Sequence, residues 1–292
     1  MWSKPSASDG CVLMGKRGMM DQYMDIKAEH SDSVLFFRMG DFYEQFHEDA
    51  VVASEVLGLA LTSRDKKAAE PIPMAGFPWH ALEDNLRVML QAGYKVCVAE
   101  QEDELREGAK LLERVVTRVY TPGSLYEESL IGTDDVAGLA AISIKGDGIG
   151  LAILDASTGH VSTMEHHGEE RWSRLLDDLL RSNPKELIFS PRDADKENLR
   201  AVISQLDGVT LSQHSSSNRK GQDSLKRILE VADLGHIDLG DSPLAMEAAG
   251  LAADYLAAMH IVDSIDFREV EIMRPDGNMI LDQTTLRNLE LI

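Results

Sequence analysis

Phe42 and Glu44 stand two residues apart in the stretch RMGDFYEQF (residues 38–46), and Phe46 follows two further on. In a strand, alternate side chains share a face, so the three point the same way. A Phe-Glu-Phe face suits a core poorly, because a buried, unpaired carboxylate costs on the order of several kcal/mol. A distorted duplex offers such a face another partner. Roughly 6.5–7 Å separates Phe42 from Glu44 along a strand, so the ring can wedge between bases while the carboxylate reaches a base edge. Wedging an apolar side chain from the minor groove costs about a few kcal/mol per unstacked step, least where pairing is already faulty. Phosphates repel a carboxylate, so Glu44 needs a donor, and a mispaired base offers ring N–H groups that a correct pair keeps occupied. The spacing also fits a blander arrangement, with both phenylalanines in a core and Glu44 reaching solvent from its rim. Spacing alone does not choose.

Other constellations carry less. Gly10, Gly15 and Lys16 have the spacing of a phosphate loop, but Arg17 stands where Ser or Thr should follow, and no strand precedes. The nine histidines are scattered without zinc-ligand spacing. His166 and His167, beside Glu165 at a strand end, face opposite ways and read as solvated surface. A two-metal nuclease needs several converging carboxylates. The strand GLAAISI has none at its centre, and Asp155 sits in a DASTG turn where Asp has an ordinary role.

The 292 residues suffice for two domains, with 43% hydrophobic and 27% charged residues, a globular composition. No apolar run reaches membrane-span length. Residues 1–18 lack the apolar centre of a signal peptide and read as a loose arm. Cys11 and Cys97 are expected to be free thiols in a reducing compartment. A net charge of −21 excludes a broad basic DNA-coating surface. Residues 1–125 hold 14 Lys/Arg against 20 Asp/Glu, and the remainder 15 against 30, so any nucleic-acid site belongs to the first part and is small.

Several elements must position the Phe-Glu pair. MMDQYMDIKAEH places Met19, Met20, Tyr23 and Ile26 at helical spacing. VLFFRMG and FYEQF read as strands joined at Gly40-Asp41, EDAVVASEVLGL as a helix, ALTSR as a short strand, and DKKAAEPIP as a loop. Pro78 is expected to open a helix that Gly93 stops. KVCVAEQ is a strand, and RVVTRVYTPGS is another that ends in a turn. GLAAISIK, IGLAILDASTG and HVSTMEHH form a meander, followed by helix, strand, helix, strand and helix, a ribonuclease H-like order. Ser242-Pro243 opens a long helix with a hydroxyl cap, and FREVEIM, RPDGN and MILD suggest a hairpin. The last residues keep helical spacing without a stop signal, as in the front piece of something longer. The fold class is α/β: a mixed-sheet N-terminal domain at 19–125, a ribonuclease H-like domain at 126–264, and the beginning of a helical core at 265–292.

MMDQYMDIKAEH, VLFFRMGDFYEQFHEDAVVASEVLGLALTSR and EPIPMAGFPWHALEDNLRVMLQAGYKVCVAEQ closely resemble the mismatch-recognition domain of the bacterial MutS family. VTRVYTPGS and LDQTTLRNLEL resemble the end of that domain and the start of the family's lever core. The resemblance implies that Phe42 inserts beside a mismatched or unpaired base and that Glu44 hydrogen-bonds that base. Met39, Asp41, Arg64 and Met74 match places lining the same surface. Arg38, Lys66, Lys67 and His80 are expected phosphate neighbours by charge or position. The second domain is similar to the family's connector, with its MutL-facing surface near GQDSLKRILEVADL. The resemblance further implies a cytoplasmic, nucleoid-associated bacterial protein that binds mismatched double-stranded DNA. ATP, magnesium and self-association belong to downstream family domains, so no ATPase activity and no cofactor are expected of this polypeptide. Phe77 and Trp79 are bulkier than the family's usual residues there and read as packing residues. Two rivals stay open: a paralogue that binds repair partners without reading mismatches, and a metal-dependent nuclease on the second domain.

Overall fold

A computed structural model describes residues 18–64, 70–102, 112–124, 138–155, 158–234, 242–259 and 269–272. The first domain contains α1 (Met19–Glu29), β1 (Ser33–Met39), β2 (Phe42–Phe46), α2 (His47–Leu57), β3 (Thr62–Ser63), β4 (Pro73–Pro78), α3 (Leu82–Gln91), β5 (Lys95–Gln101) and β6 (Arg114–Tyr120). Their six-stranded sheet has the order β3-β4-β2-β1-β5-β6. Only the β1–β5 pair is parallel, so the sheet is mixed as expected.

Period-2 alternation in the strands builds a core on each face. Val34, Phe36, Tyr43, Val96 and Val98 pack with Phe77 and the α3 residues Leu86, Met89 and Leu90. Leu35, Phe37, Phe46, Cys97 and Val119 pack with Met19 and Tyr23 of α1. Strands β1 and β5 therefore read as near-continuous apolar runs over their first five residues, because both of their faces are covered there. Cys97 is a buried free thiol whose pKa burial pushes up to about 12.

β4 departs from the sequence expectation, which made 65–73 a loop and began a helix at Pro78. Residues 73–78 instead pair with both β2 and β3, while a single 3-10 turn at Trp79–Ala81 precedes α3. The prolines lie at the first and last positions of the strand, where a missing donor is tolerated.

The second domain comprises β7 (Gly138–Lys145), β8 (Gly148–Asp155), β9 (His160–His167), α4 (Arg171–Ser182), β10 (Glu186–Phe189), α5 (Glu197–Ile203), β11 (Thr210–Gln213), α6 (Asn218–Ile228), α7 (Pro243–Ala258) and β12 (Glu269–Ile272). The order β11-β10-β7-β8-β9-β12 contains an antiparallel meander, β7 to β9, flanked by strands that run parallel to their neighbours. This is the expected ribonuclease H-like arrangement. α4 and α5 cover one face of the sheet, and α6 and α7 the other. Strand β12, in the stretch the sequence assigned to the following segment, lies at the edge of this sheet. The remaining expected hairpin strand and the terminal helical pattern fall outside the described residues.

Two local expectations are corrected. Ser242 makes no side-chain cap on α7. The Glu165 carboxylate on β9 takes that place, accepting from the Leu244 and Ala245 N–H groups at 2.9 and 3.2 Å, where the helix dipole favours a negative charge. His166 is buried rather than solvated, with Nε2 2.9 Å from Asp178 Oδ2. His167 is the exposed neighbour, paired with Glu165 at 2.7 Å.

The domains meet through polar contacts. Glu186, fully buried on β10, accepts from the Gly123 N–H at 3.3 Å, from the Tyr255 hydroxyl at 2.6 Å, and from Ser212. Lys95 pairs with Asp32 at 2.7 Å and lies 5.6 Å from the centre of the Tyr255 ring.

Candidate nucleic-acid interface

The β1–β2 hairpin turns at Gly40-Asp41, with Met39 registered opposite Phe42. Gly40 has φ +59° and Asp41 a negative φ, so only the first turn position needs the left-handed conformation that glycine adopts freely. Phe42, the first residue of β2, is 47% exposed at the hairpin's end.

Along the Phe42-Glu44-Phe46 row, exposure falls from this open ring through a half-buried carboxylate to a fully buried phenylalanine. Phe46 packs edge-on against Tyr23, with ring centres 5.1 Å apart. Tyr23 in turn bonds Asp49, which accepts from the Leu35 N–H and from Lys27. The inner end of β2 is thus clamped while its outer end projects. The expected Phe-Glu-Phe face is two environments on one strand.

Glu44 has Phe37 opposite it on β1 and Gly76 opposite it on β4. A Cβ on Gly76 would lie 3.0 Å from the Tyr43 carbonyl oxygen and 3.5 Å from Glu44 Cγ, so glycine keeps that side of the carboxylate open. Burial raises the pKa of Glu44, and the nearby Arg64 guanidinium opposes the shift. Arg64 also lies over the Phe46 ring, 5.7 Å from its centre.

The residues singled out in the sequence separate by face. Met39, opposite Phe42, and Met74, opposite Phe46, share the Phe42–Glu44 face with Arg64 close by. Asp41 is exposed in the turn, its carbonyl accepting from the Trp79 N–H at 2.9 Å. Arg38 lies on the other face, between the rings of Tyr43 and Trp79 at 5.3 and 5.2 Å from their centres. There it borders a cavity of about 600 Å³ that is also lined by the exposed His80. Phe77 is a core residue, whereas Trp79 stays half exposed under Arg38. Lys66 and Lys67 lie outside the described residues.

Sequence reasoning passed over Arg114 and Gln101, whose side chains meet at 3.2 Å beneath the hairpin. It also passed over Gly76. Nothing in their local pattern marks them, because their partners lie more than ten residues away in the chain. Among the described residues, no group of three or more His, Cys, Asp or Glu is placed to hold a metal ion. Nor is any helix among them long and apolar enough to cross a membrane.

Fold and site together define a class: a two-domain α/β chain whose first sheet projects an aromatic ring and whose second sheet is ribonuclease H-like. Residues 17–129 match MutS domain I, and residues 137–261 match MutS domain II. The chain belongs to the MutS family. It is 36% identical over 273 residues to the DNA mismatch repair protein MutS of Anaeromyxobacter dehalogenans strain 2CP-C, covering 94% of this chain and 30% of that protein. Identity to the MutS of Myxococcus xanthus is 36% over 278 residues, covering 94% and 31%. For that of Symbiobacterium thermophilum it is 35% over 277 residues, covering 94% and 32%. The chain therefore spans about a third of the length of these relatives.

Proposed function

We propose that this chain is the mismatch-reading and connecting portion of a longer MutS-type repair protein. Phe42 wedges beside a mispaired or unpaired base from the minor groove, and Glu44 accepts a hydrogen bond from that base. Met39, Asp41, Arg64 and Met74 line the same contact, while Lys66, Lys67, Arg38 and His80 are secondary positions near phosphate. The second domain connects recognition to an ATP- and magnesium-dependent part of the full-length protein and receives MutL. Self-association resides in regions beyond these two domains, and the protein works in the bacterial cytoplasm at the nucleoid.

One observation carries the reading: the order of burial along β2 is inverted. Hydrophobicity alone would draw Phe42 inward and leave Glu44 in water. Instead the ring is half exposed and the carboxylate is partly withdrawn, with its pKa raised. A surface arranged for a base stack and a base-edge donor has this order.

The test is equilibrium binding of the full-length protein to a G·T duplex and its G·C control at stated salt, for wild type and Phe42→Ala. Loss of the wedge should lower the mismatch preference by about tenfold or more, equivalent to ~1.4 kcal/mol. An unchanged preference sinks the reading and leaves Phe42 as an ordinary exposed ring.

A further inference from the structure

Strands β1 and β5 pair only from Ser33↔Lys95 to Phe37↔Ala99. Beyond that point β5 remains paired with β6 as far as Gln101↔Arg114, after a register shift at Val98/Ala99. Such a bulge increases local twist and re-aims the side chains that follow. Arg38, Met39 and Gly40 therefore extend past the β1–β5 ladder, at the end of the hairpin that carries Phe42.

Two side chains fill the gap left by the ladder. The Arg114 Nε–H donates to the Arg38 carbonyl at 3.2 Å, and Nη2 donates to Gln101 Oε1 at 3.2 Å. That same Gln101 oxygen accepts from the Gly40 N–H at 3.4 Å. Arg114 Nη1 is satisfied by the Leu112 carbonyl at 2.7 Å. The guanidinium also lies 3.8 Å from Met39 Sδ and 5.4 Å from the centre of the Phe37 ring. Met39 and Phe37 are the β1 residues registered opposite Phe42 and Glu44. Arg114 is only 8% exposed, so DNA does not meet it directly.

We propose that Arg114 and Gln101 are positioning residues for mismatch discrimination: together they replace the missing strand ladder and hold the β1–β2 turn so that Phe42 and Glu44 are presented in one fixed arrangement. This rests on the wedge reading above. A preorganised wedge avoids the entropy of ordering a loose hairpin on the DNA. The planar fork of arginine bonds a carbonyl and an amide oxygen at once with its donors held at fixed angles.

The test uses the full-length protein and the same two duplexes, in a double-mutant cycle between Arg114→Met and Phe42→Ala. Arg114→Met should reduce the G·T over G·C preference roughly fivefold, the size of one lost buried hydrogen-bond set, with little change in G·C affinity. In the Phe42→Ala background it should have no further effect, because its influence passes through the wedge. Gln101→Leu should act like Arg114→Met, whereas Gln101→Glu, which still accepts from both donors, should retain discrimination. This pair carries the test if Arg114→Met fails to fold. A folded Arg114→Met protein with wild-type preference, effects that add to those of Phe42→Ala, or equal behaviour of the two Gln101 variants overturns the brace alone. If Phe42→Ala itself changes nothing, the wedge reading fails and takes the brace with it.

Discussion

Phe42 and Glu44 sit on one face of one short strand, yet the physics acting on them differs. The ring extends beyond the cover of α1, whereas Glu44 is flanked by Phe37 and an open glycine position. Partial burial raises the Glu44 pKa, so the folded state holds the proton more tightly than the unfolded chain does. Ionised Glu44 therefore opposes folding: stability falls as pH rises from the ordinary carboxylate value through the raised one. Glu44→Gln should unfold at an equal or higher temperature than wild type, measured by calorimetry at pH 7. Removing the carboxylate also removes repulsion from phosphates. Affinity for correctly paired DNA should accordingly rise about two- to fivefold while mismatch preference falls, read out by titration at fixed salt. The residue types and their spacing were legible from the chain. Which of the three would be exposed was not, because that depends on where α1 ends relative to the strand.

At the scale of elements, the helices and most strands follow from periodicity and from glycine stops. Gly58 and Gly93 adopt positive φ just after α2 and α3. β4 was hidden by Pro73 and Pro78, which read locally as breakers but pair at strand ends. The cap of α7 was hidden for a similar reason. Ser242-Pro243 carries a familiar local signal, but the acceptor that binds the helix comes from β9, more than seventy residues earlier. Glu165→Ala should leave those two N–H groups without their carboxylate and lower stability by about 1–2 kcal/mol. Ser242→Ala should change it by much less. Chemical denaturation of both variants, with unchanged m-values, would measure the difference.

Over the whole molecule, the net charge of −21 leaves room only for a small nucleic-acid contact, and the projecting hairpin proposed for that role is a surface of that size. The joint behind it depends on a fully buried carboxylate: Glu186 ties the end of the first domain to the sheet and long helix of the second. Tyr255→Phe preserves the ring beside Lys95 but removes one donor to Glu186, and should cost about 1–2 kcal/mol. The Gly123 amide shares that carboxylate, so its hydrogen exchange should quicken in the variant, as measured by NMR or mass spectrometry. Unchanged protection at Gly123 would show that Glu186 does not couple the domains.

Periodicity and turn residues were enough to determine the α/β class and the ribonuclease H-like order of the second domain, and they placed Phe42 and Glu44 two residues apart on one strand. These are local signals, carried by residues a few positions apart. The tertiary structure alone decided that Phe46 turns inward, that Arg38 faces away from Phe42, that Glu165 caps α7, and that Arg114 and Gln101 lie beneath the hairpin. Each of these depends on strand register and on contacts between residues distant in the chain, where a shift of one residue reverses the face a side chain presents.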